Sequence, residues 1–185
     1  MDTGLSWFEV IMYHDENAGG SMANAEIDDK SLLAIARLTT AWKFLSGEDR
    51  VFDFCLGQVQ IPAYLEFCFV MPLCVLDRDE KFGVVVLIDR QSGLKVASHM
   101  FGMDETSVSE TDIGDASSEV CNLLAAGMSQ HFSKTKKVTA ELPSRIDADT
   151  YQWICSKSQP IQKFESTTEN SSLQIVVFDP LVVPI

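Results

Sequence analysis

Between Asp112 and Phe132 the side chains divide into two arcs of a helix, which commits this stretch to a rod with one face against a core. At about 100° per residue, Asp115, Glu119, Asn122 and Ala126 fall within roughly 60° of one another. Val120, Leu124 and Met128 fall on the opposite side, and Cys121, Leu123, Gly127 and Phe132 widen that apolar stripe. Ser109 suits the N-cap, with Asp112 three residues on, where a carboxylate meets the positive end of the helix dipole. Lys134, Lys136 and Lys137 lie past the other end as dipole partners and solvated surface. Glu119 and Asn122 therefore project side by side, away from the core, because residues i and i+3 share a face. Taken alone, such a pair is also what an ordinary solvated helix face carries.

The other segments predict what this rod packs against. From Asp29 to Leu45 the residues Leu32, Ile35, Leu38, Trp42 and Leu45 recur at helical spacing, and Gly47 is a good C-cap. Strand-like runs cover Phe52 to Leu56, Tyr64 to Met71, Leu73 to Leu76 and Phe82 to Ile88, with a charged turn from Asp77 to Lys81. A shorter helix is expected over Ser92 to Phe101, and further strands over Val138 to Leu142, Gln159 to Phe164 and Leu173 to Phe178. Ser166 to Ser172 reads as a polar hairpin-like loop, and Pro180 and Pro184 leave the last residues extended for a dimer contact. Strands linked mostly by turns, with two long helices, indicate an α+β layered fold. Asn17 and Gly19-Gly20-Ser21 read as a flexible joint, making residues 1–21 an N-terminal extension or leader and residues 22–185 one domain. Within the extension, Trp7, Phe8, Val10, Ile11 and Met12 suit a short element docking on the core or on a second chain.

Composition removes several function classes. At 185 residues with 46% hydrophobic content the chain can bury a sizeable core. Its mean hydropathy of +0.07 likewise fits a folded globule. Fourteen basic against 27 acidic residues give a net charge of −13, which repels nucleic-acid backbones and anionic lipid headgroups. The apolar run from Val59 to Leu76 is broken by Pro62, Glu66 and Pro72, so strands are expected there and no membrane span. Cys55, Cys68, Cys74, Cys121 and Cys155 are odd in number, lack Cys-x-x-Cys spacing and suit buried thiols in a reducing cytoplasm. The N-terminus lacks the pattern of a signal peptide. His14, His99 and His131 form no metal pattern, and no Gly-rich phosphate loop or activated Ser or Cys nucleophile is recognisable.

Asp115, three residues, Glu119, two residues, Asn122, and then Pro143 resembles the motif of the chemotaxis phosphatases CheC, CheX and FliY. The similarity covers Phe82 to Pro143, taking in the strand Gly83 to Ile88 and the short helix Ser92 to Gly102 that ends in an apolar residue and Gly. Ala126 stands where members often carry Gly, and the interval from Asn122 to Pro143 is slightly short. The first long helix lacks a second Glu-x-x-Asn, so the resemblance is to CheX-like members with one site per subunit. It implies a CheC-like antiparallel sheet of about six strands layered with two long helices. It further implies an enzyme that hydrolyses the aspartyl phosphate of a CheY-like response-regulator receiver domain. Asn122 would orient the attacking water, and Glu119 would dock on the receiver's Lys. Asp115 is either a supporting group or a solvated carboxylate, and Pro143 shapes the loop beside the helix. The chain would bind no cofactor, with Mg²⁺ supplied by the receiver, and would pair as a homodimer through its sheets. The alternative is a non-catalytic receiver-binding or flagellar-switch adaptor using the same helix.

Overall fold

The computed structural model describes residues 28–55, 66–75, 81–132, 138–168 and 171–184. The proposed extension, its Gly-Gly-Ser joint, the turn at 76–80 and the lysines beyond Phe132 lie outside the described residues. In chain order the elements are α1 (Asp29–Ser46), β1 (Asp53–Cys55), β2 (Phe67–Val75), β3 (Lys81–Ile88), α2 (Arg90–Phe101), a 3-10 turn (Glu105–Ser107) and α3 (Glu110–Phe132). There follow β4 (Val138–Ala140), β5 (Ser144–Ile146), α4 (Ala148–Lys157), β6 (Pro160–Thr168) and β7 (Ser171–Phe178).

Short-range signals set the helix ends. Asp28, Asp89 and Asp147 each accept a hydrogen bond from the backbone N–H three residues on, at Ser31, Ser92 and Thr150, over 2.7–2.8 Å. α1 and α2 stop at Gly47 and Gly102, which adopt φ of 72° and 63°, a conformation glycine takes without steric cost. At the start of α3 a carboxylate Oδ2 of Asp112 accepts from the Ser109 N–H at 2.8 Å, and the Ser109 Oγ accepts from the Asp112 N–H at 3.2 Å. This reciprocal box satisfies donors the first helical turn leaves open.

The sheet has seven strands among the described residues, in the order β1-β6-β7-β3-β2-β4, with β5 also on β2, and every pairing is antiparallel. Alternation along the central strands divides the core in two. Phe69, Met71, Val84, Val86, Ile175 and Val177 point to the layer that holds α1, α2 and α3. Val70, Val85, Leu87, Val176 and Phe178 point to the other side, where Tyr151 and Ile154 of α4 and Leu181 cover them. Among the described residues this is an α+β fold with three helices on one sheet face and one on the other. Leu181 is buried against its own sheet, so that part of the expected C-terminal dimer strand is already engaged.

Several expectations change. The runs predicted as separate strands on either side of Pro72 are one strand, β2. The Pro72 carbonyl accepts from the Glu141 N–H at 3.0 Å, on the side of β4 and β5. In an antiparallel strand a residue's N–H and C=O point to the same neighbour, so the donor Pro72 lacks faces that side and leaves the ladder to β3 intact. β5 and α4 were not expected, and most of the predicted loop at Ser166 to Ser172 belongs to β6 and β7. In α1 the core stripe is Ala34, Leu38, Trp42 and Leu45, whereas Leu32 is 45% exposed.

Candidate functional site

α3 crosses β2 and β3 and is held by its buried side chains Ile113, Ala116, Val120, Cys121, Leu124, Ala125 and Met128. Truncating one of the larger ones, such as Leu124→Ala, removes about 2–5 kcal/mol by transfer and cavity terms. That burial fixes the rotation of the helix about its axis, and with it the direction of the polar arc. Asp115 and Ala126 are exposed at the two ends of the arc, with Glu119 and Asn122 half-buried between them. The Asn122 Nδ2 donates to the Glu119 Oε2 at 3.3 Å. The predicted pair therefore meets, on the side of the helix opposite the core.

Pro143 is half-buried in the break between β4 and β5, which both pair with β2. It sits on the sheet edge beside the strand that α3 crosses, a position that suits the shaping of a loop. Asp115 lies one turn before Glu119 and is exposed. Among the described residues no cluster of His, Cys, Asp or Glu could hold a metal ion. The five cysteines are free thiols, with burial raising those of Cys68 and Cys121 far above the ordinary thiol range.

Two features of the surroundings escaped the sequence. Arg50 is only 6% exposed. Its guanidinium donates to Ser166 Oγ, Ser92 Oγ and the Ser166 carbonyl at 2.9 Å each, and lies 4.9 Å above the Trp42 ring. It fastens α1, α2 and β6 to one another. The second is a groove between α1 and α3, lined by Arg37, Thr40, Phe44, Leu123 and Gly127 among others. Phe44 off the core stripe was the available signal for it.

Residues 79–165, which contain α2, α3 with the arc, and Pro143, match the family model described as chemotaxis phosphatase CheX. Over those residues the chain is similar to the CheX chemotaxis phosphatases. A chain of the CheX-CheY-BeF3-Mg complex from Borrelia burgdorferi superposes on this chain with a TM-score of 0.58 at 12% identity, covering 82% of this chain and 97% of that one. CheX from Vibrio vulnificus does so with a TM-score of 0.55 at 11% identity, covering 85% and 99%. A chain of the FliM-SpeE complex from H. pylori reaches a TM-score of 0.54 at 9% identity, covering 78% and 80%. At these identities the likeness is one of fold. No curated protein matches the chain.

Proposed function

We propose that this chain hydrolyses the aspartyl phosphate of a CheY-like receiver domain, with Asn122 orienting the attacking water and Glu119 docking on the receiver's Lys. The observation that carries the reading is the Asn122 and Glu119 pair, half-buried on the outward arc of a rigid helix, inside the segment that matches the family. The receiver brings the acyl phosphate, a Mg²⁺ ion and a Lys, so the chain need supply only position. Water attacks phosphorus as the bond to the aspartyl oxygen breaks. Inorganic phosphate leaves, and the receiver's carboxylate is restored. An amide is suited to this step because its oxygen accepts a hydrogen bond from the water without acting as a strong base. The bond from Asn122 Nδ2 to Glu119 supports the assignment, since it engages the amide nitrogen and leaves the amide oxygen for the water.

The test is the loss of phosphate from a receiver phosphorylated with acetyl phosphate. Asn122→Ala is expected to lower the catalysed rate by about 10² to 10³ with receiver binding largely retained, as for loss of one preorganised group. Glu119→Ala is expected to weaken both. An unchanged rate in Asn122→Ala would remove the water-orienting role. Binding without any acceleration by the unaltered chain would favour the adaptor reading, to which the likeness of fold with the FliM-SpeE complex lends support. A cytoplasmic location and pairing of two copies belong to the same proposal. The free thiols are consistent with the first.

A further inference from the structure

The four residues of the polar arc are too few for a protein substrate. A specific protein interface covers about 800 Å² on each partner, spread over roughly 20–30 residues a side. A receiver seated over Asn122 must therefore lean on a neighbouring surface. At the amino-terminal end of α3 that surface carries Asp104, Glu105 and Asp112, which repel a phosphoryl group, beside Glu110 paired with Arg90. The flank toward α1 differs. Glu119, Leu123 and Gly127 follow one another at i, i+4 on α3, and the last two line the groove against α1. The groove encloses about 520 Å³, and its lining has Arg37 and no acidic residue. Arg37 Nη1 donates to the Gly127 carbonyl at 3.2 Å, which ties the groove's two walls. At its rim Phe44 is 75% exposed, and Leu33 is 44% exposed on the same face of α1. An aromatic ring so open, beside a groove continuous with the site, has the character of an interface anchor.

We propose that the groove between α1 and α3, with Phe44 as its anchor, is the second half of the docking surface and takes an apolar side chain of the receiver beside its phosphorylation site. This rests on the receiver reading above. The groove would set which receivers are accepted, whereas Asn122 and Glu119 would act alike on any of them.

The experiment uses the full chain and a panel of single-domain CheY-like receivers phosphorylated with acetyl phosphate. For a receiver that the unaltered chain dephosphorylates, Phe44→Ala is expected to raise KM about tenfold with kcat unchanged, the reverse of Asn122→Ala, and Phe44→Leu to recover most of the loss. An unchanged KM in Phe44→Ala overturns this proposal and leaves the catalytic reading standing. Failure of the unaltered chain to accelerate loss of phosphate from any receiver overturns both. Sedimentation separates the other occupants. If Phe44→Ala turns a dimer into a monomer at unchanged KM, the groove holds a second copy. If Phe44→Ala and deletion of residues 1–21 each lower KM to the same value, it holds the chain's own extension. Either result also overturns the proposal.

Discussion

At the scale of single residues, two polar groups show opposite uses of hydrogen bonding. Asn122 is half-buried, and its amide nitrogen donates to Glu119 Oε2 across one turn of its own helix. Arg50 is enclosed, and three of its bonds, to Ser166 Oγ, Ser92 Oγ and the Ser166 carbonyl, measure 2.9 Å. A planar guanidinium can meet these acceptors together and still stack on Trp42, whereas an ammonium cannot. Arg50→Lys is therefore expected to cost about 3 kcal/mol, from hydrogen bonds lost in a buried setting. A shift in the midpoint of urea unfolding measures it, and an unchanged midpoint would show that the contacts contribute nothing. Asn122 was legible in the sequence because its spacing from Glu119 defines a helix face. Arg50 was not, because its partners lie 42 and 116 residues away along the chain.

At the scale of elements, helical glycines show how packing overrides propensity. A Cβ on Gly93 would lie 2.7 Å from Cγ2 of Ile113 and 3.1 Å from Oγ of Ser117, where α2 crosses α3. The first contact is with a β-branched, fully buried side chain that has little room to turn. A Cβ on Gly114 meets nothing within 4 Å. Gly93→Ala is thus expected to destabilise by about 1–3 kcal/mol through overpacking. Gly114→Ala should stabilise by up to about 1 kcal/mol through helix propensity. Thermal unfolding of the two variants should move in opposite directions. The same balance governed what could be foreseen. α3 was legible because its two arcs persist over many turns. α4 was missed because its buried residues are only Tyr151 and Ile154, too few to set a period. β2 was split at Pro72 because the missing donor cannot be assigned to a side of the strand until the neighbours are known.

At the scale of the whole molecule, charge and caps act together on stability against pH. With a net charge of −13, acidification from neutral pH first relieves self-repulsion as the chain nears its pI of about 4.5. Below that, native carboxylates lose their partners. Hydrogen bonds from Ser109 hold Asp112 below the ordinary carboxylate range, as those from Thr150 hold Asp147, and the Lys81 ammonium does the same to Glu141. A group whose folded pKa is depressed adds stability above its unfolded value and loses it as pH falls through the folded one. The unfolding temperature is expected to rise or stay level from pH 7 to about 5 and to fall below about 4, near the unfolded Asp value. Asp147→Asn keeps a capping oxygen while removing its proton, so it should flatten part of the acid limb. The sequence by itself determined the long amphipathic rod, the outward arc with Glu119 and Asn122 and the caps at Ser109 and Gly47, because each depends on neighbours a few positions apart, and the acidic character, which composition alone sets. Only the tertiary structure decided that β2 runs through Pro72, that Arg50 is enclosed, that α4 closes the second face and that Phe44 stands open beside the site. Those depend on which distant segments come to lie against one another, and no local spacing contains that information.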